Sequence, residues 1–394
     1  MRVERLALTQ FRTYGALEVR FGGGPQVIAG ANAAGKTNLL EALLLLGTGG
    51  SHRASADAEM ISWGADFARL EADVTEAGAA SAATGATEAA DVPSSLEVVL
   101  ARSGAAGARK RVRINGVGRR PAQLAATLPV VLFAPEDMSL ISGPPSLRRH
   151  ALDTLVARTV PSAGATMATY ARALTQRNNL LRAVRDGAAD PAELRFWNEV
   201  IGRDGGQIVS WRRAALADVH AEIGPEDGQL SLRYATNAEP GPDEDAEAAL
   251  RRRLAETAEK ELWNGSTLVG PHRDDALFSL AGRDMASFGS RGQQRSAILS
   301  YKLAELELVG RAHGRPPLLL LDDVFSELDP QRRGHLVRRI GALPQAFVTT
   351  TALEDLDPAL LDLSTAWRVT PGRLSSDRRP PTPTAGADTL LEAG

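Results

Sequence analysis

Gly30-Ala31-Asn32-Ala33-Ala34-Gly35-Lys36-Thr37 decides the fold. The run fits G-x-x-x-x-G-K-[ST] without departure, with a short apolar strand at 26–29 entering it and an apolar helix at 38–46 leaving it. The two glycines let the backbone curl until its N–H groups face a phosphate, and the helix N-terminus adds positive potential. Residues Gly30 to Gly35 would cradle the phosphates of ATP, Lys36 would reach the β- and γ-phosphates, and the Thr37 hydroxyl would ligate Mg²⁺. The competing reading is a chance glycine-rich turn ahead of a helix, which the flanks disfavour.

A phosphate loop of this kind needs a second carboxylate for the magnesium, at the end of a buried strand. Leu318-Leu319-Leu320-Leu321-Asp322-Asp323 supplies one. Four consecutive leucines suit a central parallel strand covered on both faces. Asp322 is the expected magnesium partner. Asp323, left free by its neighbour, is the candidate general base that orients water. A third piece precedes another apolar helix: Ser287-Phe288-Gly289-Ser290-Arg291-Gly292-Gln293-Gln294-Arg295. Such a loop at a helix start is an anion site, yet the chain already has its phosphate loop. Ser290, Gly292 and Gln293 make sense if they contact the nucleotide of another subunit, and Ser326-Glu327-Leu328-Asp329 would sit at the same junction. On its own the run is also an ordinary helix cap.

The 394 residues exceed one compact core and suggest two to three domains. The longest apolar runs, 42–46 and 130–134, fall far short of the roughly 18 residues that a membrane span needs. The start lacks a signal-peptide core, and cysteine is absent, which excludes thiolate metal sites and disulfides. A soluble cytoplasmic protein is expected. Residues 3–21 alternate as a β-hairpin or meander broken at Gly15, and further strands are expected near 68–74, 96–100, 111–114, 129–133, 278–280 and 318–321. Residues 78–95 hold almost no large apolar side chain and read as a flexible hairpin tip. From 146 to about 262 the period turns helical, in three apolar stripes. The expected division is 1–145 for the first half of an α/β head, 146–265 for an inserted helical lobe, 266–372 for the second half and 373–394 for a disordered tail.

Net charge is −3, so any contact with nucleic acid must be a local patch. The strongest is Arg102, Arg109, Lys110, Arg111, Arg113, Arg119 and Arg120, with no acid between them. Arg109, Lys110, Arg111 and Arg113 are the candidate DNA contacts; a solvated basic hairpin is the alternative. His272-Arg273-Asp274-Asp275 lacks convergent metal spacing and reads as an ion-paired loop near the nucleotide.

Taken together, the sequence resembles the ABC-type ATPases of DNA metabolism and, within them, the RecF family. The resemblance is carried by Phe11-Arg12-Thr13-Tyr14, 30–41, Ser51-His52-Arg53, Phe133-Ala134-Pro135-Glu136-Asp137, Arg148-Arg149 with Leu152-Asp153, Gln176-Arg177-Asn178, Gly270–Asp275, Gly292–Arg295 and 319–329. It implies an α/β P-loop ABC-type ATPase head with a mixed or parallel sheet plus an inserted helical lobe. It also implies an ATP-dependent homodimer with slow hydrolysis, binding to double-stranded, single-stranded or gapped DNA, and work beside recombination mediator proteins in recombinase loading and the SOS response. Departures are Ala33-Ala34 in the loop, Ala151 in place of an aromatic, the 78–95 insert, and Thr349-Thr350-Thr351 where transporter ATPases carry a switch histidine. A transporter-type nucleotide-binding subunit and a non-hydrolysing ATP-binding scaffold are the alternatives.

Overall fold

The computed structural model of the chain describes residues 1–76, 93–104, 107–224, 229–325 and 328–377. Strands β1 (Arg2–Phe11) and β2 (Tyr14–Arg20) form the expected hairpin. Its turn lies at Arg12-Thr13 and not at Gly15, because Gln10 and Arg12 adopt left-handed backbone, φ 52° and 51°. Strand β3 (Gly24–Ala29) feeds the phosphate loop, and α1 (Lys36–Thr48) leaves it. Strands β4 (Phe67–Thr75), β5 (Ser94–Ser103), β6 (Gly107–Ile114) and β7 (Val117–Arg119) then extend the hairpin into an antiparallel sheet of order β2-β1-β4-β5-β6-β7. Most of the expected tip at 78–95 lies outside the described residues. Ser94 and Ser95 are strand residues, paired with Val74 and Asp73, so the insert ends earlier than its composition suggested.

The chain continues through α2 (Leu124–Thr127), β8 (Val130–Phe133) and α3 (Ser139–Ser142) into the helices α4 (Pro145–Thr159), α5 (Ala163–Arg185), α6 (Leu194–Glu222) and α7 (Ala246–Asn264). Between the last two helices runs a strand absent from the sequence reading, β9 (Leu230–Ala235). Only Leu230, Leu232 and Tyr234 carry its alternation, too short a run to stand out between helices. It pairs with β10 (Asp275–Leu280), which pairs with β11 (Arg283–Asp284). There follow α8 (Met285–Phe288), α9 (Arg291–His313), β12 (Leu318–Asp322), α10 (Pro330–Gly341), β13 (Gln345–Thr350), α11 (Pro358–Leu363), β14 (Thr365–Thr370) and β15 (Arg373–Ser376).

The second large sheet has the order β15-β14-β3-β13-β12-β8, parallel except at β15. The tail expected from 373 is corrected here: Arg373–Ser376 pairs with Thr370–Trp367 as an edge strand, and 378–394 lie outside the described residues. Alternate residues of the parallel strands feed two cores. Ile28, Leu318, Leu320 and Phe347 pack with α1 and the antiparallel sheet; Val27, Leu319, Leu321 and Val348 pack with α9, α10 and the helical lobe. Burial on both faces explains the unbroken run of leucines in β12.

A buried amide ties the two large sheets together. Gln345 Oε1 accepts from Val3 N at 2.8 Å, and its Nε2 donates to Val3 O at 3.0 Å and Gly22 O at 2.7 Å. Every polar atom of this fully buried side chain is satisfied, as burial demands. The helical lobe is braced by charge. Arg177, 2% exposed, donates to Glu261 at 2.6 Å, to Asn198 and to Thr267, while Arg212 grips Asp153 with two bonds of 2.7 and 2.8 Å.

Candidate functional site

The phosphate loop is shaped by two left-handed residues, Ala33 (φ 62°) and Gly35 (φ 111°). Gly35 has a second reason to lack a side chain: a Cβ there would lie 3.0 Å from Thr13 Oγ1 and 3.1 Å from the Tyr14 hydroxyl. At Gly30 a Cβ would collide with the Val369 carbonyl at 2.7 Å. Tyr14 donates to Gly35 O at 3.0 Å, and Asn38 donates to Thr13 at 3.0 Å, so the first hairpin clamps the helix start. Burial raises the Tyr14 hydroxyl pKa to about 12, which keeps it a donor.

Lys36 folds back over the loop. Its Nζ donates to Gly30 O at 2.6 Å and Ala31 O at 3.1 Å. Burial lowers its pKa, against the opposing pull of the Asp323 and Asp322 charges. The ammonium therefore lies within electrostatic reach of both acids.

Thr37 and Asp322, 285 positions apart, are in contact. Thr37 Oγ1 donates to Asp322 Oδ2 at 2.7 Å. Thr349 Oγ1, on the neighbouring strand, donates to Asp322 Oδ1 at 2.6 Å and accepts from Asp323 N at 3.0 Å. Asp322 is 5% exposed, and among the described residues only hydroxyl hydrogens reach its oxygens. A buried carboxylate that among the described residues forms no ion pair, beside a threonine hydroxyl, fits a hard divalent ion such as Mg²⁺. Asp323 turns out of the strand in left-handed backbone, φ 52°, so its side chain does not continue the line of β12. In sequence Thr349 stands out only as the place where transporter ATPases carry a histidine. Its signal was positional: a hydroxyl at the end of the strand paired with the one that ends in Asp322.

Glu41 on α1 also escaped the sequence reading. It is fully buried, accepts from Arg12 Nε at 2.7 Å and Nη2 at 2.6 Å, and accepts from Ser51 at 2.5 Å. Burial alone would raise its pKa, but the bonds from Arg12 and Ser51 outweigh that and hold the carboxyl below its ordinary value. The brace fixes Phe11–Tyr14 and Ser51–Arg53 to the helix that leaves the phosphate loop.

Ser290 caps α9. Its Oγ accepts from Gln293 N at 3.2 Å, and Gln293 Oε1 accepts from Ser290 N at 2.9 Å, a reciprocal capping box. Ser290, Gly292 and Gln293 are exposed, and among the described residues none of them bonds to the phosphate loop. In the linked turn, Ser326 and Glu327 lie outside the described residues, whereas Asp329 caps α10 by accepting from Arg332 N.

The basic strip is corrected at one position. Arg109, Arg111 and Arg113 alternate onto the exposed face of β6, but Lys110 points to the other face. There it pairs with Asp57 at 2.8 Å and donates to Gly49 O at 2.5 Å, so it is a structural tie and leaves the candidate DNA surface. Period-two geometry makes this inevitable once neighbours 109 and 111 face solvent. Arg113 meets Glu97 at 3.3 Å on that outer face.

The partners of His272 lie in the helical lobe and its own loop, not in the phosphate loop. Its Nδ1 bonds to the Tyr170 hydroxyl at 2.8 Å and Nε2 to Thr267 O at 3.2 Å. Burial pushes its pKa down to about 4. The unfolded chain, near pH 6.5, binds this proton more readily than the folded one. Stability is therefore retained above that pH and falls as pH drops towards 4, by roughly 3 kcal/mol at the limit. His272→Gln keeps one donor and one acceptor but cannot titrate. Urea unfolding at pH 7 and pH 4.5 should show a smaller pH loss in the variant; equal losses would remove His272 as the cause.

This geometry has counterparts among known proteins. Residues 2–365 match the model of the RecF/RecN/SMC N terminal domain. The chain is 37% identical to the DNA replication and repair protein RecF of Heliobacterium modesticaldum, over 95% of this chain and 99% of the relative. The chain belongs to the RecF family. A second RecF relative, from Chloroflexus aurantiacus, is 38% identical over 95% of this chain and 99% of its own. Among solved structures, the recombination mediator protein RecF with ATP superposes with a TM-score of 0.82 at 26% identity, covering 95% of this chain and 97% of that one. An Smc head bound to the C-winged helix domain of ScpA gives 0.50 at 15% identity over 95% and 97%, a likeness of fold alone. In RecF-family terms, the fold is an ABC-type ATPase head carrying an inserted helical lobe. No helix among the described residues is long and apolar enough to cross a membrane.

Proposed function

We propose that this RecF-family chain is an ATP-gated DNA-binding protein of recombinational repair and fork maintenance, active as a dimer that ATP assembles. The observation that carries the reading is the bond between Thr37 and Asp322, because it joins the end of the phosphate loop to the end of the strand that must complete a nucleotide site. Residues 30–35 hold the phosphates by their backbone, and Lys36 exchanges its two carbonyl partners for phosphate oxygens. Thr37 and Asp322 would hold Mg²⁺, which would supply positive charge to neutralise the phosphates. Asp323 orients the attacking water and accepts its proton. Ser290 and Gln293 face the nucleotide of the second protomer, which is consistent with their exposure in the single chain. Hydrolysis separates the pair and releases DNA. The ATP complex of the RecF relative supports nucleotide binding in this head. Asp323→Asn tests the chemistry: ATP binding should persist and turnover should fall at least about a hundredfold. Wild-type turnover at background level would favour the scaffold alternative.

The DNA surface follows from the corrected strip. Replacing Arg109, Arg111 and Arg113 together by Gln should weaken duplex binding similarly for all sequences. If each contacts one phosphate, it should flatten the slope of log K against log[salt] by about 2 to 3 units. Lys110→Ala, in contrast, should lower thermal stability and leave that slope unchanged. Fluorescence anisotropy over a salt series reads both results, and an unaltered slope in the triple variant would move the DNA elsewhere.

A further inference from the structure

Both ring nitrogens of His52 are shut away from solvent, and among the described residues neither has a hydrogen-bond partner. Buried polar atoms are normally paired, and leaving them unmet is costly. The turn that carries the ring is firmly held. Ser51 Oγ donates to Glu41 at 2.5 Å and accepts from Arg53 N at 3.0 Å and Ala54 N at 2.9 Å. Glu41 follows Thr37 on the same face of α1, so this turn is anchored about one helical turn from the end of the phosphate loop. On its other side is the loop that leaves β8. Phe133 pairs with Leu321, so that loop starts level with Asp322, and its Glu136 lies 3.9 Å from Arg53. His52 and Glu136 line one cavity of about 460 Å³ that extends to α4 and α9.

The charges around the ring decide what it can do. Across the cavity, Lys302 pairs with Asp137 and Glu305, and Arg158 pairs with Glu305, so two cations cancel two acids. His150, on α4, is exposed at the rim. Nearer the ring, Glu41 is already matched by Arg12. That leaves Glu136 and Asp322 acting against Arg53. Burial holds the His52 pKa below its ordinary value of 6.5, against the pull of Glu136, Glu41 and Asp322, so the ring is neutral at pH 7. Phosphate charge arriving beside Thr37 favours the charged ring. An imidazolium is also a double donor, and the exposed carboxylate of Glu136 is an acceptor with only a long ion pair to give up.

We infer that His52 is a positioning residue of the nucleotide site: it takes up a proton from solvent as ATP binds, and ties the turn after α1 to the loop after β8 by donating to Glu136. The inference rests on the phosphate-loop reading given above. The affinity it adds is present at low pH and fades as pH rises through the nucleotide-bound value of the ring.

Isothermal titration with ATP and Mg²⁺, in two buffers of different ionisation enthalpy at pH 7, counts the protons taken up. Wild type should take up about half a proton per ATP more than His52→Gln, which keeps one donor and one acceptor but cannot titrate. Its ATP affinity should also fall by about threefold more than that of the variant between roughly pH 6.5 and 8.5. Glu136→Gln changes an exposed side chain and should reduce the uptake with the fold intact. NMR of the six histidine rings in wild type reads the same proton without a variant: one ring should titrate higher with a non-hydrolysed ATP analogue than without it. Equal uptake by wild type and His52→Gln, or no ring that titrates higher with nucleotide, overturns the role of His52. Uptake reduced in His52→Gln but unaltered in Glu136→Gln overturns Glu136 as its partner. Failure of wild type to bind ATP overturns the phosphate-loop reading instead.

Discussion

Lys36→Ala is expected to bind ATP on the order of 100-fold more weakly than wild type, about 2.7 kcal/mol, because it removes a buried ammonium able to make charge-assisted bonds to phosphate. Every ATP-dependent property should fall with it, including dimerisation, DNA retention and turnover. The fold should survive, since the Gly30 and Ala31 carbonyls that lose their donor lie on a loop that water can reach. Isothermal titration with ATP checks the affinity, and light scattering with and without ATP checks the assembly. Lys36→Arg keeps the charge but replaces a compact ammonium with a planar fork, so it should retain binding better than it retains hydrolysis. Normal ATP binding and dimerisation by Lys36→Ala would show that the nucleotide lies elsewhere.

Ser290→Arg is expected to abolish ATP-driven dimerisation and hydrolysis while leaving ATP binding by the monomer intact. Among the described residues the Ser290 side chain bonds only to Gln293 N at the start of α9, so the arginine perturbs a cap and an exposed surface, not the core. Loss of the cap costs about 1 kcal/mol, too little to unfold the chain. In a packed interface, in contrast, the new bulk and charge are prohibitive. Mixing Ser290→Arg with Asp323→Asn sharpens the result: one composite site then carries both lesions and the other carries neither. The milder Ser290→Ala variant in the same mixture covers the case in which the arginine blocks assembly outright. Steady hydrolysis by monomeric Ser290→Arg would rule out a shared site.

The sequence was legible where chemistry fixes both residue type and spacing. The phosphate loop, the leucine strand and its acids are local patterns, and the fold had only to bring Thr37 to Asp322. It was opaque where a residue's role depends on its neighbour across a sheet. Lys110 looks like its basic neighbours in sequence and differs from them only by facing inward, where Asp57 waits. Thr349 and Glu41 act through partners 27 and 29 positions away, and no periodicity announces a hydroxyl or carboxylate that positions another group. Strand β9 was missed because its pairing partner lies beyond a whole helix. Arg177 and Asp153 belong in sequence to a family pattern, but that they are ion-paired braces is visible only in three dimensions.

Gln345 welds Val3 and Gly22 to β13, and β13 lies between β3 and β12, the strands that end at the two halves of the nucleotide site. The arginine row and the phosphate loop therefore ride on one block, with no sliding joint between them. On the function proposed above, the quantity that nucleotide would set in an ATP-closed pair is the gap and angle between two identical arginine rows, one per protomer. DNA would then be measured as by a caliper, whose jaws keep their shape and change only their opening.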